Sequence, residues 1–351
     1  MSIPVSELHA ASYRARQVPA PTEVVDGVWA IPVPLHGSAL RYVTVFLIDT
    51  ADGLVLIDAG YDHPSCWQSF QRCVGSIGRR VDAITAVLLT HNHPDHVGFA
   101  DHLRTVSGAQ VVMGRADDFA TMRQRRGGFL QQLRAALELT GAPPEVVDAM
   151  YADAVEVAVH DESLRLDHAP AGETTFRFGD VTLLAVPTPG HTYGHTVYFD
   201  TRGLVFTGDT MMAEGPTQLA IVSRPDDDPA ADLFRSLARI RALDAGIACP
   251  AHQFPYRDVA ARVDELTALH RGEVEAVRDL VRDGDGAWTL AQRMTWKKPW
   301  AELGRGTQRF HLMHALALLR TVDTGPLLSP AAGRRTSSPA ATWAAPPAGG
   351  A

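Results

Sequence analysis

LLTHNHPDHVG, residues 88–98, places His91, His93, Asp95 and His96 within six positions at the end of an apolar run. The chain holds only 15 histidines in 351 residues, so this crowding needs a cause. A solvated loop gains nothing from it, and a core resists it because buried polar groups require partners. A bound metal is the physical reason that fits. The preceding DAITAVLLT (82–90) reads as a β-strand that delivers the chain into His91.

Working outward, three later strand ends offer further donors. VPTPGHTYGH (186–195) places His191 after a strand and a Pro-Gly turn, LVFTGDT (204–210) places Asp209 after another, and ACPAHQF (248–254) places His252 after a third. Side chains leaving the ends of neighbouring strands converge on one edge of a sheet, where open α/β sheets bind ligands. The set is five histidines and two aspartates. Such a shell suits zinc, iron or manganese better than calcium or magnesium, which prefer oxygen throughout. Seven donors exceed one tetrahedral ion and match two ions sharing one carboxylate. A pair of that kind holds a bridging hydroxide, a nucleophile at neutral pH that needs no serine or cysteine.

The surrounding chain reads as α/β. VVDGVWAIPV (24–33) and RYVTVFLIDT (41–50) are expected as two strands, and GLVLIDAG (53–60) as a third ending in Asp58. A helical pattern follows over 64–80, and VGFADHLRTVSGA is a helix closed by Gly108 before the strand QVVMG. Strands then alternate with helices as far as GIACPA (246–251). Asp228 and Pro229 fit the N-cap and first turn of a helix over 229–244, so the DDD run at 226–228 is read as capping and solvation. Residues 115–170 break the alternation. Apolar positions at helical spacing (Phe119, Met122, Phe129, Leu130, Leu133, Leu137), interrupted by RRGG and GAPP, predict a helical insertion. It would serve as a lid over an acyl chain or as a local helical pair. From about 257 the pattern is helical. The Pro-, Ala-, Gly- and Ser-rich end, 324–351, is expected to be a disordered tail.

HNHPDH, PGHTYGH, TGDT and CPAH, in that order over roughly residues 24–254, resemble the metallo-β-lactamase superfamily. The resemblance implies an αββα sandwich with a dinuclear site at the edge of its two sheets. Carried over motif by motif, His91, His93 and His191 would hold one metal and Asp95, His96 and His252 the other, with Asp209 bridging. Asp95 and Asp209 would then be the catalytic carboxylates. Asp58 matches a supporting position behind the ligands, and His195 is given a similar role. The domain plan that follows is an N-terminal extension (1–22), a catalytic domain (23–256) containing the insertion, and a C-terminal region (257–323). That last region resembles the winged-helix-like appendage of one branch of the superfamily.

Composition narrows the partners. Hydrophobic content is 46% and charged content 21%, as in ordinary soluble proteins, and no apolar run is long enough to span a bilayer. The N-terminus lacks a signal-peptide pattern, which implies a cytoplasmic location. Cys66, Cys73 and Cys249 form no disulfide or zinc-ribbon pattern. Residues 1–254 carry 19 basic against 30 acidic side chains, a poor footprint for nucleic acid. The segment QRMTWKKPWAELGRGTQRF does interleave basic and aromatic residues. It is read as tryptophans packed inward with charges in water.

The expected activity is hydrolysis of an ester or thioester carbonyl, thioesterase-like, on a small-molecule or acyl-thioester substrate of specialised metabolism. Two divalent ions, zinc first with iron or manganese as alternatives, are its cofactors. Tyr193, Phe129 and Met122 are the candidate substrate contacts, and a homodimer is compatible with the sequence. Two alternatives stand beside this reading: a phosphodiesterase or ribonuclease of the appended-helical branch, and an iron oxidoreductase on the same fold. Hydroxyacylglutathione hydrolases are discounted because MMAEGPTQLAI, after TGDT, lacks their cysteine and basic residues. Flavodiiron oxygen reductases are discounted because His93 stands where they carry glutamate.

Overall fold

The computed structural model describes residues 2–35, 40–157, 162–323 and 341–344. Its six-stranded sheet is built from β2 (Thr22–Val25), β3 (Val28–Pro34), β4 (Tyr42–Thr50), β5 (Gly53–Ile57), β6 (Ile84–Leu89) and β7 (Gln110–Met113), paired in that order. The eight-stranded sheet uses β1 (Ile3–Pro4), β8 (Thr174–Phe178), β9 (Val181–Pro187), β10 (Thr196–Asp200), β11 (Leu204–Gly208), β12 (Ile247–Pro250), β13 (Tyr256–Arg257) and β14 (Ala341–Ala344). Its order is β1-β13-β12-β11-β10-β9-β8-β14. The sheets pack face to face through Phe46, Ile48, Val55, Leu88, Phe176, Tyr198 and Phe206. Helices α2 (Pro64–Ser76) and α4 (Ala100–Ser107) cover one outer face. Helices α8 (Pro229–Ala242) and α9 (Val259–Leu280) cover the other. The result is an αββα sandwich, as the sequence implied.

Strands buried on both faces explain why β4, YVTVFLIDT, reads as a continuous apolar run rather than an alternating one. Each fully buried Val, Leu, Ile or Phe contributes about 1.5–3 kcal/mol of transfer free energy. Asp228 caps α8 by accepting from Ala231 N–H at 3.0 Å, with Pro229 in the first turn. Such a cap is worth ~1 kcal/mol. Asp227 does more than the solvation expected of it. It is buried, pairs with Arg126, and accepts the N–H groups of Ser223 and Arg224.

Four further expectations need correction. The stretch 24–33 is two strands rather than one, because the chain turns at Asp26–Gly27, where Gly27 adopts φ 70°. The N-terminal 22 residues, read as an extension outside the catalytic domain, are tied into it: β1 pairs with β13, and α1 (Glu7–Arg14) buries His9 and Ala10 against the sandwich. The region 257–323 is helical in α9, α10 (Ala287–Arg293) and α11 (Arg305–Asp323), and holds no wing strand among its described residues. It has no separate core either, since Leu266, Val274, Leu312 and Leu316 share one cluster with Val186 and Val205 of the sheet. Within the tail expected to be disordered, Ala341–Ala344 forms an edge strand parallel to β8. Trp343 packs there on Phe176, Phe178 and His168, supplying the apolar contact that its composition had seemed to lack. The rest of that tail lies outside the described residues.

The insertion is helical: α5 (Phe119–Arg126), α6 (Phe129–Leu139) and α7 (Pro144–Val157). Its apolar face joins the core that holds α11, through Leu133, Leu137, Val147 and Met150. The basic segment's tryptophans also pack inward. Trp296 stacks on His311 at 4.1 Å, and Trp288 meets Trp300 edge to face. No described helix is long and apolar enough to cross a membrane.

Candidate metal centre

β5, β6, β11 and β12 all end at one edge of the sandwich, and the residues that follow them build the site there. β5 leads into Asp58. β6 runs into His91 and His93, and the short helix α3 (Pro94–Val97) turns Asp95 and His96 toward the same point. His191 comes from the β9–β10 loop, Asp209 from the end of β11, and His252 from the loop after β12. The donor atoms form two groups: His91, His93, His191 and Asp209 in one, and Asp95, His96 and His252 in the other.

In the first group, His93 Nδ1 lies 2.9 Å from His91 Nε2 and 3.1 Å from His191 Nε2, and His191 Nε2 lies 3.6 Å from Asp209 Oδ2. In the second, His252 Nε2 is 3.3 Å from Asp95 Oδ2, and His96 Nε2 is 3.8 Å from Asp95 Oδ1. Asp209 reaches both groups, with Oδ2 at 3.5 Å from His252 Nε2 and Oδ1 at 3.6 Å from His96 Nε2. Tetrahedral bonds of 2.0–2.1 Å would set donors about 3.3 Å apart, so these spacings fit an ion in each group.

The remaining ring nitrogens are tied elsewhere, which fixes the tautomers. His96 Nδ1 donates to Asp58 Oδ2 at 2.9 Å, His252 Nδ1 to the Tyr42 carbonyl at 3.0 Å, and His191 Nδ1 to the Gln218 carbonyl at 2.8 Å. Thr90 Oγ1 donates to the Asp58 carboxylate and accepts from His91 Nδ1 at 3.0 Å. Asp58 also accepts Thr90 N–H at 2.7 Å, and holds a left-handed backbone (φ 64°) to do so. Each Nε2 lone pair is thereby turned inward, as second-shell partners of metal-bound histidines generally do. His195 sits behind the bridging position. Its Nε2 accepts Asp209 N–H at 3.3 Å, and its Nδ1 donates to Thr210 and Thr188.

Two observations test the fit to metal. His96 Nε2, His252 Nε2 and Asp209 Oδ1 are buried with no hydrogen-bond partner. Polar atoms are rarely left so, and here they converge. The electrostatics agree. Burial, reinforced by neighbouring imidazoles, drives His91 well below the ordinary histidine range, and burial takes His93 down to about 3, so both are neutral donors. Around His96, burial is outweighed by Asp58, Asp209 and Asp95, which pull it up to about 9. His252 is raised likewise by Asp209 and Asp95 against its burial. The carboxylates thus make a buried negative field that calls for cations.

The metal groups open into a cavity of about 800 Å³. His93, Asp95, His191 and Asp209 line it together with Met122, Phe129, Leu133, Leu219 and Ile221. Arg309, Phe310, Met313 and His314 complete it as one stripe of α11. Met122, Phe129 and Tyr193 therefore line the same cavity as the metal ligands. Tyr193, however, spends its hydroxyl on the Ile221 carbonyl, and its ring lies under the Arg126 guanidinium at 3.8 Å. Sequence reasoning missed the α11 wall and also Asp117, a buried carboxylate in the turn before α5. It further missed the Tyr42 and Gln218 carbonyls, which carry no side-chain signal.

A sandwich with paired His/Asp groups at its edge is the frame of a metal-dependent enzyme, and the relatives place it among the hydrolases. The Metallo-beta-lactamase superfamily model matches residues 39–252, and the chain belongs to that superfamily. It is 26% identical over 270 residues to the probable metallo-hydrolase YqjP of Bacillus subtilis, covering 73% of this chain and 81% of that one. A hydroxyacylglutathione hydrolase of Methylococcus capsulatus is 30% identical over 56% of this chain and 60% of its own length. The atrochrysone carboxyl ACP thioesterase of Aspergillus fumigatus is 28% identical over 73% of this chain and 51% of its own. The chain thus spans only about half to two thirds of the latter two relatives. Among solved structures, a beta-lactamase domain protein from Burkholderia ambifaria superposes with a TM-score of 0.69 at 23% identity, covering 87% of this chain and 89% of that one. A metallo-beta-lactamase family protein from Thermus thermophilus gives 0.65 at 21%, covering 86% and 95%.

Proposed function

We propose that the chain hydrolyses an acyl thioester or ester with two divalent ions, zinc by preference. The observation that carries this reading is the continuity of the donor groups with a largely apolar cavity roofed by the insertion and α11. The hydroxyacylglutathione hydrolase and the ACP thioesterase among the relatives support the same substrate class. His91, His93 and His191 would hold one ion, Asp95, His96 and His252 the other, and Asp209 both. Ions held by these residues would supply a nucleophile from water at neutral pH and would polarise a bound carbonyl.

The chain's own groups do the rest. Asp58, the Tyr42 and Gln218 carbonyls and His195 keep the donors oriented, so no reorganisation is needed during reaction. Asp95, held ionised by His96 and His252 against its burial, would serve the second ion as an anionic ligand. Met122, Phe129 and Leu133 seat the acyl group and exclude water. Trp296 and Trp300 are partly buried against the core, which gives the nuclease reading less support than the thioesterase one.

The test is a panel of acyl thioesters of rising chain length, aryl esters, lactones and bis-aryl phosphates, run on protein loaded with zinc, manganese or iron. Metal-dependent release of thiol, strongest on medium acyl chains, is expected. Turnover confined to the phosphodiesters, or redox chemistry with iron alone, would overturn the reading.

A further inference from the structure

Asp117 lies in the turn joining β7 to α5, at the root of the insertion, and is 2% exposed. Among the described residues it has no cation within ion-pair distance. Its carboxylate instead faces the loop that carries His191. Oδ2 accepts the Thr192 hydroxyl at 2.5 Å, and Oδ1 accepts Gly194 N–H at 2.7 Å. Its own carbonyl accepts Asn92 Nδ2–H at 3.3 Å, and Asn92 stands between His91 and His93. The same amide touches Met122 Sδ at 3.3 Å, on the cavity face of α5.

The approach is close enough to require glycine twice. A Cβ on Gly194 would meet Asp117 N at 2.2 Å, and one on Gly114 would meet the Gly194 carbonyl at 2.4 Å. Burying a carboxylate without a cation is costly. Here burial pushes the carboxyl up to about 6 despite the Thr192 and Gly194 hydrogen bonds. A group kept at that cost, with both oxygens spent on one loop, has a positional task.

We infer that Asp117 is a positioning residue that fastens the His191 loop and the His91–His93 segment to the root of the insertion, setting the geometry of the first donor group. This rests on the two-ion reading of the site. The hydrogen bonds of Asp117 go to the segments that carry the first donor group, and none among the described residues joins it to His96, His252 or Asp95. The lid and the first ion are then one mechanical unit: a shift of α5 reaches His191 through Asp117 and Thr192, and His91 and His93 through Asn92.

Cobalt(II) is the probe, titrated against a competing chelator and followed by its visible absorption, with folding checked by circular dichroism. In the wild type two binding steps are expected; their absence would sink the two-ion reading and this inference with it, whereas two steps in the wild type that the variants leave unaltered would sink the inference alone. Thr192→Val removes one hydroxyl at constant volume, and is expected to weaken one step about tenfold and leave the other unchanged. Thr192→Ser is expected to restore it. Asp117→Asn, which keeps an acceptor for Gly194, is expected to weaken that step less than Asp117→Ala. If Thr192→Val and Asp117→Asn fold and bind both ions as the wild type does, Asp117 does not position the site. If both steps weaken equally, its role is general stability and the inference fails.

Discussion

Among the described residues, a cluster of histidine and carboxylate at the sandwich edge and another between α9 and α11 are built to opposite ends. At the sandwich edge, seven donors point their free atoms at one another across gaps of 2.9–3.8 Å, and three of those atoms have no hydrogen-bond partner. Between α9 and α11, Glu273 accepts His270 Nδ1–H at 2.8 Å and faces His314 Nε2 at 3.4 Å, while His270 Nε2 accepts Thr217 N–H. That second cluster satisfies itself. Its task is to tie α11 and the 210–222 loop to α9. The same residue types thus serve either a ligand or the fold, and unsatisfied valence tells them apart.

The largest effect that sharpens this contrast comes from Asp209, the one carboxylate shared by both donor groups. Asp209→Ala is expected to lower thioester turnover about a thousandfold or more and to lose bound metal. Steady-state kinetics with metal analysis checks both. Next come the supports behind the ligands. Asp58→Asn removes the acceptor that orients His96, and is expected to weaken metal binding about 10–100-fold in a chelator titration, with the fold intact by circular dichroism. Phe129→Ala should raise KM for medium-chain thioesters about tenfold, in line with losing part of a ~2 kcal/mol apolar contact, and leave kcat for acetyl thioesters unchanged.

Glu273→Gln, the smallest effect on chemistry, is the control from the other cluster. It should leave metal content and kcat alone and cost about 1–3 kcal/mol of stability near neutral pH. Burial opposes ionisation of Glu273, but the His270 and His314 contacts outweigh it and hold the carboxyl down at about 2. A depressed carboxylate stabilises above its unfolded value of 4.5 and loses that contribution as pH falls toward 2. The wild-type advantage in thermal melting should therefore shrink over that interval. A constant advantage down to pH 2 would show that the pair is not electrostatic.

Much of the centre could be read from the chain alone, because chemistry and topology coincide there. His91, Asp209 and His252 each follow a recognisable strand, so residue type and position spoke together. Asp228 was legible for the same reason, since a cap is a local event. Long-range partners were not. Nothing in RADDF (115–119) shows that Asp117 will meet Gly194, and backbone carbonyls such as Tyr42 and Gln218 leave no trace in composition. The α9–α11 helices read as an appendage because helical periodicity shows that one face is buried but not against what. β1 and β14 were missed because two- and four-residue edge strands borrow their stability from the sheet they join.

Metal content per chain, measured by inductively coupled plasma mass spectrometry on wild type and Asp209→Ala alongside thioester turnover, tests the central claim most directly. Two ions per chain with turnover in the wild type are predicted, with both falling in the variant and both retained in Glu273→Gln. Full turnover after chelation, or a variant that keeps two ions and wild-type turnover, would contradict the shared-carboxylate site.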